Sequence, residues 1–141
     1  MAEAVFKHVV EEKGYSEYFS EIESFGTSGW HVGDSPDSRT VKTCRHYGVP
    51  ISHNAQQITP REFRRFDYVI AMDESNKSDL LHMKPRDSKT HVAMFGEWGT
   101  DPRYGKVITD PYYGGINGFE RCYQQLNHFS ENFLNKEIGE L

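Results

Sequence analysis

The chain has 141 residues and a formal net charge of −5, with 26% charged and 36% hydrophobic residues. This length favours a single domain, residues 1–141, with a hydrophobic core of its own. The acidic balance argues against a nucleic-acid-binding protein. Because no apolar run is long enough for a membrane span or a signal-peptide core, we expect a cytoplasmic protein with no membrane partner.

The first residues, MAEAVFKHVVEEKG, predict a helix that starts almost at Met1. Four apolar residues at helical spacing form one stripe: Val5, Phe6, Val9 and Val10. Gly14 supplies the expected C-terminal stop. No Ser, Thr, Asp or Asn cap precedes this stripe, and no strand precedes the helix.

A short strand and a second helix are predicted next. Residues 21–26, EIESFG, predict a strand that leads into a glycine-rich loop. The second helix is expected to have Ser35 as its cap, Pro36 in its first turn and Gly48 at its end. The segment 49–58 is ambiguous between a loop and a short strand.

The middle of the chain predicts a helix, a strand and another helix. Thr59 is the expected cap of the first of these, with Pro60 at its first position and Glu62 at capping-box spacing. The sequence DYVIAM, residues 67–72, is short, β-branched and apolar, as buried strands are. It continues directly into DESNKSDLLHMK, residues 73–84, which predicts a helix.

The last third of the chain predicts a strand, a long loop and a closing helix. The strand is THVAMF, residues 90–95, and the loop is rich in Gly, Pro and Tyr. The helix is expected from about Asn117. Five residues recur in it at helical spacing, and we interpret this stripe as core: Phe119, Tyr123, Leu126, Phe129 and Phe133.

Helices that alternate with short apolar strands are typical of an α/β sandwich with a parallel sheet. In such folds ligands bind beyond the carboxyl ends of the strands. The expected site loops are therefore residues 26–36, residues 72–76 and the long segment after Phe95. A βαβ unit needs a strand before its crossover helix, so the pattern is one strand short before the first helix.

The cysteines and histidines give no sign of a metal site. Cys44 and Cys122 fit no metal or redox spacing, and each lies in a helical pattern, so we expect buried thiols. The seven histidines include no pair at i+3 to i+5. We therefore expect neither a metal nor another cofactor.

The sequence ITDPYYGG, residues 108–115, is the richest local signal for chemistry. Asp110 precedes a proline and therefore lies in an extended or turn conformation, beside the aromatic rings of Tyr112 and Tyr113. A surface turn is the simpler interpretation of one Asp-Pro pair. After the last strand of an α/β domain, the whole segment favours a functional loop.

Four segments together resemble the low-molecular-weight protein tyrosine phosphatases: AEAVFKHVVEE, SFGTSGWHVGDSPDSR, DYVIAMDESN, and DPYYGG followed by FERCYQQL. The similarity extends from Ala2 into the closing helix, with the motifs in the order of the family. It implies a three-layer α/β sandwich whose parallel sheet has the strand order 2-1-3-4.

The resemblance implies hydrolysis of phosphomonoesters by a cysteine. In the family, the thiolate of a Cys-x5-Arg-Ser-Pro loop attacks phosphorus, and a carboxylic acid protonates the leaving oxygen and later activates water. Asp110 matches that acid, which implies an acidic optimum unless its pKa is raised. Trp30, Tyr112 and Tyr113 match the aromatic walls of the pocket. The implied substrates are phosphotyrosine proteins or small aryl phosphates.

Four further positions match residues that support the phosphate-binding loop in the family: Ser24, His53, Asp73 and Asn76. Local structure accounts for them equally well. Asp73 and Asn76 would serve as helix caps, and His53 would be an exposed loop histidine.

The main departure from the family is that the chain contains no Cys-x5-Arg motif; a smaller one is Ser38, where family members commonly have a second proline. By the resemblance, the first strand, the phosphate-binding loop and the nucleophilic cysteine precede Met1. An internal start or an alternative transcript would explain their absence, and we expect these 141 residues alone to be inactive. The alternatives are a non-catalytic phosphatase-like binding module and, with less support, an arsenate reductase. We expect a monomer of marginal stability.

Overall fold

The computed structural model describes residues 1–26, 37–51, 56–109 and 115–139. The main elements in chain order are α1 (Ala2–Glu12), α2 (Ser38–His46), α3 (Glu62–Arg65), β1 (Tyr68–Ala71), α4 (Glu74–Met83), β2 (His91–Met94) and α5 (Gly115–Glu137). Short 3₁₀ helices span Ser16–Tyr18, Phe95–Trp98 and Pro102–Tyr104. The predicted strands at 67–72 and 90–95 are confirmed.

Strands β1 and β2 are parallel neighbours, in a register that runs from Tyr68 opposite His91 to Ala71 opposite Met94. Successive side chains of a strand point to opposite faces. Val69 and Ala71 accordingly belong to one hydrophobic cluster, whereas Ile70 packs against the other. The short sheet therefore has an apolar layer on each face.

Helices cover both faces of this sheet. On one side α5 packs against α1, α2 and the 3₁₀ helix that follows β2, and on the other α4 packs against both strands. The predicted aromatic stripe of α5 is confirmed as core, since all of its members are buried: Phe119, Tyr123, Leu126, Phe129 and Phe133. The expected α/β class with a parallel sheet is also confirmed.

The predicted strand at 21–26 is wrong. Only Gly26 pairs, in an isolated parallel bridge with Gln57, through hydrogen bonds from Gly26 N to Gln56 O and from Ile58 N to Gly26 O. A strand needs a ladder of such bonds with a neighbour. Residues 21–25 form no strand in the described part of the chain, so the segment is irregular.

The predicted cap of the second helix is also wrong. Helix α2 begins at Ser38, and its N-cap is Asp37, whose carboxylate accepts the backbone N–H of Arg39 at 2.8 Å. Ser35 and Pro36 lie outside the described residues. The C-terminal stops are confirmed, because Gly14 and Gly48 both have positive φ, at 74° and 71°.

The predicted cap Thr59 is wrong, because the N-cap of the short helix α3 is Arg61, and only the Glu62 half of the capping box forms. The Glu62 carboxylate accepts the backbone N–H of Thr59 at 3.0 Å and also contacts its hydroxyl. Residues 60 and 61 are a turn, and α3 itself covers Glu62–Arg65. No helix of the described part of the chain has the length and apolar character needed to cross a membrane.

Candidate functional site

Five of the eight predicted site residues lie outside the described residues: Trp30, His53, Asp110, Tyr112 and Tyr113. The other three are Ser24, Asp73 and Asn76. In the described part of the chain, these three residues and the segments that flank the loops make up the candidate site.

Asp73 and Asn76 lie where β1 passes into α4. The Asp73 carboxylate accepts the backbone N–H of Asn76 at 2.7 Å, which makes Asp73 the N-cap of α4. The local interpretation of Asp73 as a cap is therefore confirmed. Its part in supporting a phosphate-binding loop, and that of the Asn76 side chain, stay predictions.

The segment that leads to Asp110 meets the same end of the sheet. The backbone N–H of Ile108 donates to the carbonyl oxygen of Met72 at 2.9 Å, and the Ile108 side chain is buried. Met72 directly follows β1 and precedes Asp73. The bond thus anchors the chain two residues before Asp110 at the carboxyl end of β1, where α/β folds bind ligands.

Ser24 lies against the first turn of α1. Its hydroxyl donates to Oε1 of Glu3 at 3.0 Å, and the side-chain amide of Gln56 donates to its carbonyl oxygen at 3.4 Å. Ser24 thereby links the N-terminal turn of a helix to a segment that starts three residues after His53.

Arg39 links two segments of the chain, one that follows the predicted loop of Trp30 and one that follows the predicted loop of Asp110. Its guanidinium binds both carboxylate oxygens of Asp37, each at 3.1 Å, and lies 4.7 Å from the ring centre of Phe119. Asp37 is the first described residue after the loop of Trp30, and Phe119 lies near the start of α5. Hydrogen bonds from Arg39 hold the pKa of Asp37 below its ordinary value.

Asp101 offers an instructive comparison with Asp110. Residues 100–105 read TDPRYG and residues 109–114 read TDPYYG, so both aspartates stand in the same local sequence. Hydrogen bonds from the Arg103 side chain and backbone lower the pKa of Asp101 to about 2. A carboxyl with this pKa stays ionised in the physiological range and cannot serve as a general acid.

Neither cysteine is suited to be a nucleophile. Cys44 is fully buried in α2, and burial raises the pKa of its thiol. Because the thiolate is the reactive form, this environment makes the sulfur inert. Cys122 is buried in the middle of α5. The predicted buried thiols are confirmed.

Sequence reasoning missed Glu3, Arg39 and Gln125 as residues that organise this region. Gln125 is a buried amide whose Nε2 donates to the carbonyl oxygens of Tyr104 and Val107. A signal for it was present, because Gln125 lies three residues after Cys122 and four before Phe129, on the apolar face of α5. A polar residue on such a face needs a hydrogen-bond partner.

The parallel sheet between layers of helices, with the Ile108 segment anchored at the end of β1, defines an α/β domain whose ligand site is expected at the carboxyl edge of the sheet. The family model described as low molecular weight phosphotyrosine protein phosphatase matches residues 1–140, and the chain belongs to this family. The family predicted from the sequence motifs is therefore confirmed.

Relatives and solved structures agree with this family. A low molecular weight phosphotyrosine protein phosphatase from Saccharomyces cerevisiae is 48% identical over 139 residues, which cover 98% of this chain and 86% of the relative. The protein of the same name from Homo sapiens is 41% identical over 138 residues, which cover 96% of this chain and 85% of that relative. The structure of a protein tyrosine phosphatase from Entamoeba histolytica, with Hepes in its active site, matches with a TM-score of 0.90 at 32% identity, over 99% of this chain and 89% of that one.

Proposed function

We propose that this chain supplies the general acid and the aryl-binding walls of a phosphatase that hydrolyses phosphotyrosine in proteins and small aryl phosphates. Asp110 is the general acid and base. The observation that carries the proposal is the hydrogen bond from Ile108 N to Met72 O, which anchors the acid-bearing segment at the ligand-binding edge of the sheet. Membership of a phosphotyrosine phosphatase family supports the substrate class.

The proposed reaction has two steps. A cysteine thiolate attacks phosphorus, the bond from phosphorus to the phenolic oxygen breaks, and Asp110 gives its proton to that oxygen. The Asp110 carboxylate then takes a proton from water, which attacks the phosphocysteine and releases phosphate and the thiolate. Because the first step needs protonated Asp110, activity should decline as pH rises above the pKa of that carboxyl.

Trp30, Tyr112 and Tyr113 are the proposed walls of the substrate slot. Flat aromatic side chains suit a phenyl ring, which stacks or packs edge to face against them. The contact of Arg39 with Asp37 and Phe119 supports this assignment, because it links the described chain that flanks the two loops. Ser24, His53, Asp73 and Asn76 are proposed to support the phosphate-binding loop.

A polypeptide of these 141 residues alone is expected to be inactive. Its two cysteines are Cys44 and Cys122, and neither is followed by an arginine at the sixth position. Residues that act together in a mechanism contribute non-additively, so an acid without its nucleophile gives little catalysis. A non-catalytic binding module is the alternative for this polypeptide.

The test compares the 141-residue chain with the same chain extended before Met1 by the family's first strand and Cys-x5-Arg-Ser-Pro loop. We expect hydrolysis of p-nitrophenyl phosphate by the extended chain only. In the extended chain, Asp110→Asn should lower kcat by roughly 10²- to 10⁴-fold. The loss in kcat/KM, which reports the step in which the phenolic oxygen leaves, should be greater for phenyl phosphate, a poorer leaving group.

The matched control is Asp101→Asn, which changes the aspartate of the similar TDPRYG sequence and should leave kcat unchanged. Cysteine-dependent turnover by the 141-residue chain would contradict its expected inactivity. Equal activity of Asp110→Asn and the unsubstituted extended chain would refute the assigned acid. An inactive extended chain that still binds a phosphotyrosine peptide would favour the binding module.

We also propose that the protein is a cytoplasmic monomer. The buried, unbridged thiols of Cys44 and Cys122 support a reducing compartment. Sedimentation equilibrium of the purified chain tests the monomer, and imaging of the tagged protein tests the compartment.

A further inference from the structure

The buried side-chain amide of Gln125 binds two backbone positions in the segment that precedes Asp110. Gln125 is 3% exposed, and its Nε2 donates to the carbonyl oxygens of Tyr104 at 2.8 Å and of Val107 at 2.9 Å. Since both partners are acceptors, only the NH₂ end of the amide can face them. Each of its two N–H groups therefore has a backbone partner on the same segment.

This segment is also held from its other side. The residue after Val107 is Ile108, whose N–H donates to Met72 O at the end of β1. The carbonyl of Val107 and the N–H of Ile108 belong to one peptide group, so α5 and the sheet hold opposite ends of the same peptide. Such a peptide has little freedom to rotate or shift.

We propose that Gln125 is a positioning residue for the phosphatase reaction: it fixes the backbone at Val107, three residues before Asp110, and so sets the place from which the acid acts. This role rests on the proposed function of Asp110. A general acid must come within about 2.6–3.2 Å of the oxygen that it protonates. A displacement of 1 Å lowers a rate by as much as about 10²-fold.

An apolar side chain of similar size cannot replace the amide. It would leave the carbonyls of Tyr104 and Val107 without their interior donor, and buried polar groups without partners destabilise the local structure. The segment would then open more often, whereas the helices far from it keep their contacts. Loss of Gln125 should therefore have a local effect.

The first test measures amide hydrogen exchange in the 141-residue chain. The variant is Gln125→Met, which has nearly the same volume and no donor. We expect exchange at Ile108 to accelerate by roughly tenfold or more, with unchanged rates in α4. The matched control is Gln124→Met, because the neighbouring amide donates to Tyr47 and Glu120 instead. Equal rates at Ile108 in both variants would overturn the proposal.

The second test separates positioning from mere stability in the extended chain. Gln125→Met should lower kcat/KM for phenyl phosphate by roughly tenfold, within the range that a general acid contributes, with little change for p-nitrophenyl phosphate. This ratio reports the step in which Asp110 protonates the leaving oxygen, whereas kcat also includes the hydrolysis of the phosphocysteine, which is the same for both substrates. A loss that is equal for both substrates would reduce Gln125 to a structural residue. If Asp110→Asn shows no dependence on the leaving group, the proposed function fails, whatever the exchange at Ile108.

A second variant guards against a folding defect in Gln125→Met. In Gln125→Glu the protonated carboxyl can donate one hydrogen bond, but the carboxylate repels both carbonyl oxygens. Protection of Ile108 should therefore be partly restored as the pH falls and lost as it rises. A protection factor of Ile108, corrected for the intrinsic pH dependence of exchange, that stays constant with pH in this variant would also overturn the proposal.

Discussion

The hydroxyl of Ser24 donates a 3.0 Å hydrogen bond to the carboxylate of Glu3, a residue in the first turn of α1. The two residues are 21 positions apart in the chain. Glu3 also forms an ion pair with Lys7 at 3.1 Å, one helical turn further on. The irregular segment that contains Ser24 is thus fixed to the N-terminal end of a helix by a charge-assisted bond.

A double-mutant cycle with Ser24→Ala and Glu3→Gln should show coupling of about 1 kcal/mol in the free energy of unfolding, because the bond is partly buried and one partner is charged. Urea unfolding of the four proteins measures it. The control is Lys7→Ala, which removes an i,i+4 pair on the surface of the helix and should cost only about 0.2–0.5 kcal/mol. Strict additivity of the two substitutions would show that the bond contributes nothing.

Substitution of Asp73 by alanine should destabilise the protein by about 0.5–2 kcal/mol, since it removes the N-cap of α4. Asp73→Asn should retain most of the stability, because asparagine is an equally good cap. Asp79→Ala, on the exposed side of the same helix, is the control and should change the free energy of unfolding by less than about 0.5 kcal/mol. Equal losses at positions 73 and 79 would argue against the cap.

Gly96→Ala should be strongly destabilising. A Cβ at Gly96 would overlap the backbone of Lys106, so the segment before Ile108 would have to move. We expect a loss of about 1–3 kcal/mol or more, measured by urea unfolding, together with faster amide exchange at Ile108. In Gly14→Ala, a Cβ meets nothing within 4 Å and only the positive φ is unfavourable. Its cost should be about 1–2 kcal/mol without any effect at Ile108.

The elements that the sequence predicts correctly are those whose stabilising partners are local or follow from periodicity. The strand at 67–72 and the aromatic stripe of α5 belong to this group, because each buries an apolar pattern of the right period. The segment 21–26 has a strand-like composition, but strand formation also needs a neighbour, and composition does not reveal one.

In the candidate site, too, residues with local partners are predictable from the sequence and residues with distant partners are not. Asp73 was recognisable as a cap because its partner, the N–H of Asn76, lies three residues away. The partner of Ser24 lies 21 residues away in the chain, and the two partners of Gln125 lie 21 and 18 residues away. Pairings at that distance depend on how α1 and α5 pack, which no local pattern encodes.

Glu62 should make the stability of the protein depend on pH in the acidic range. Burial tends to raise the pKa of this carboxyl, but hydrogen bonds from the Thr59 hydroxyl and backbone together bring it below the ordinary 4.5. A group whose pKa is lower in the folded state contributes stability above its unfolded pKa, and this is lost as the pH falls through the folded value. Stability should therefore decline below about pH 4.5.

Thermal unfolding between pH 6 and pH 3 tests this expectation. In Glu62→Gln, the amide oxygen still accepts the backbone N–H of Thr59 but does not titrate, so the decline should be shallower than in the unsubstituted protein. Glu62→Ala should be less stable at both ends of the range, since it lacks the capping interaction altogether. A pH profile that is identical in Glu62→Gln and the unsubstituted protein would contradict the assignment.

Glu137 connects the end of α5 to the start of β1, and its removal should be visible in the titration of Tyr68. The carboxylate accepts the Tyr68 hydroxyl and the indole N–H of Trp98, both at 3.0 Å. Burial, and then the hydrogen bond to Glu137, raise the pKa of Tyr68 above 10.0. Because the protonated phenol is favoured in the folded state, this stabilisation is present below pH 10.0 and is lost as the pH rises through the folded pKa.

Substitution of Glu137 by glutamine should therefore lower the pKa of Tyr68 towards 10.0, without reaching it, since the burial remains. NMR titration of ring-labelled tyrosine measures the shift. Glu131→Gln, which changes an exposed acid on the same helix, is the matched control and should leave the pKa of Tyr68 unchanged. If the titration of Tyr68 is the same in both variants, partial burial and the charge of Asp67 raise its pKa without Glu137, and the bond to Glu137 does not hold the end of α5 against β1.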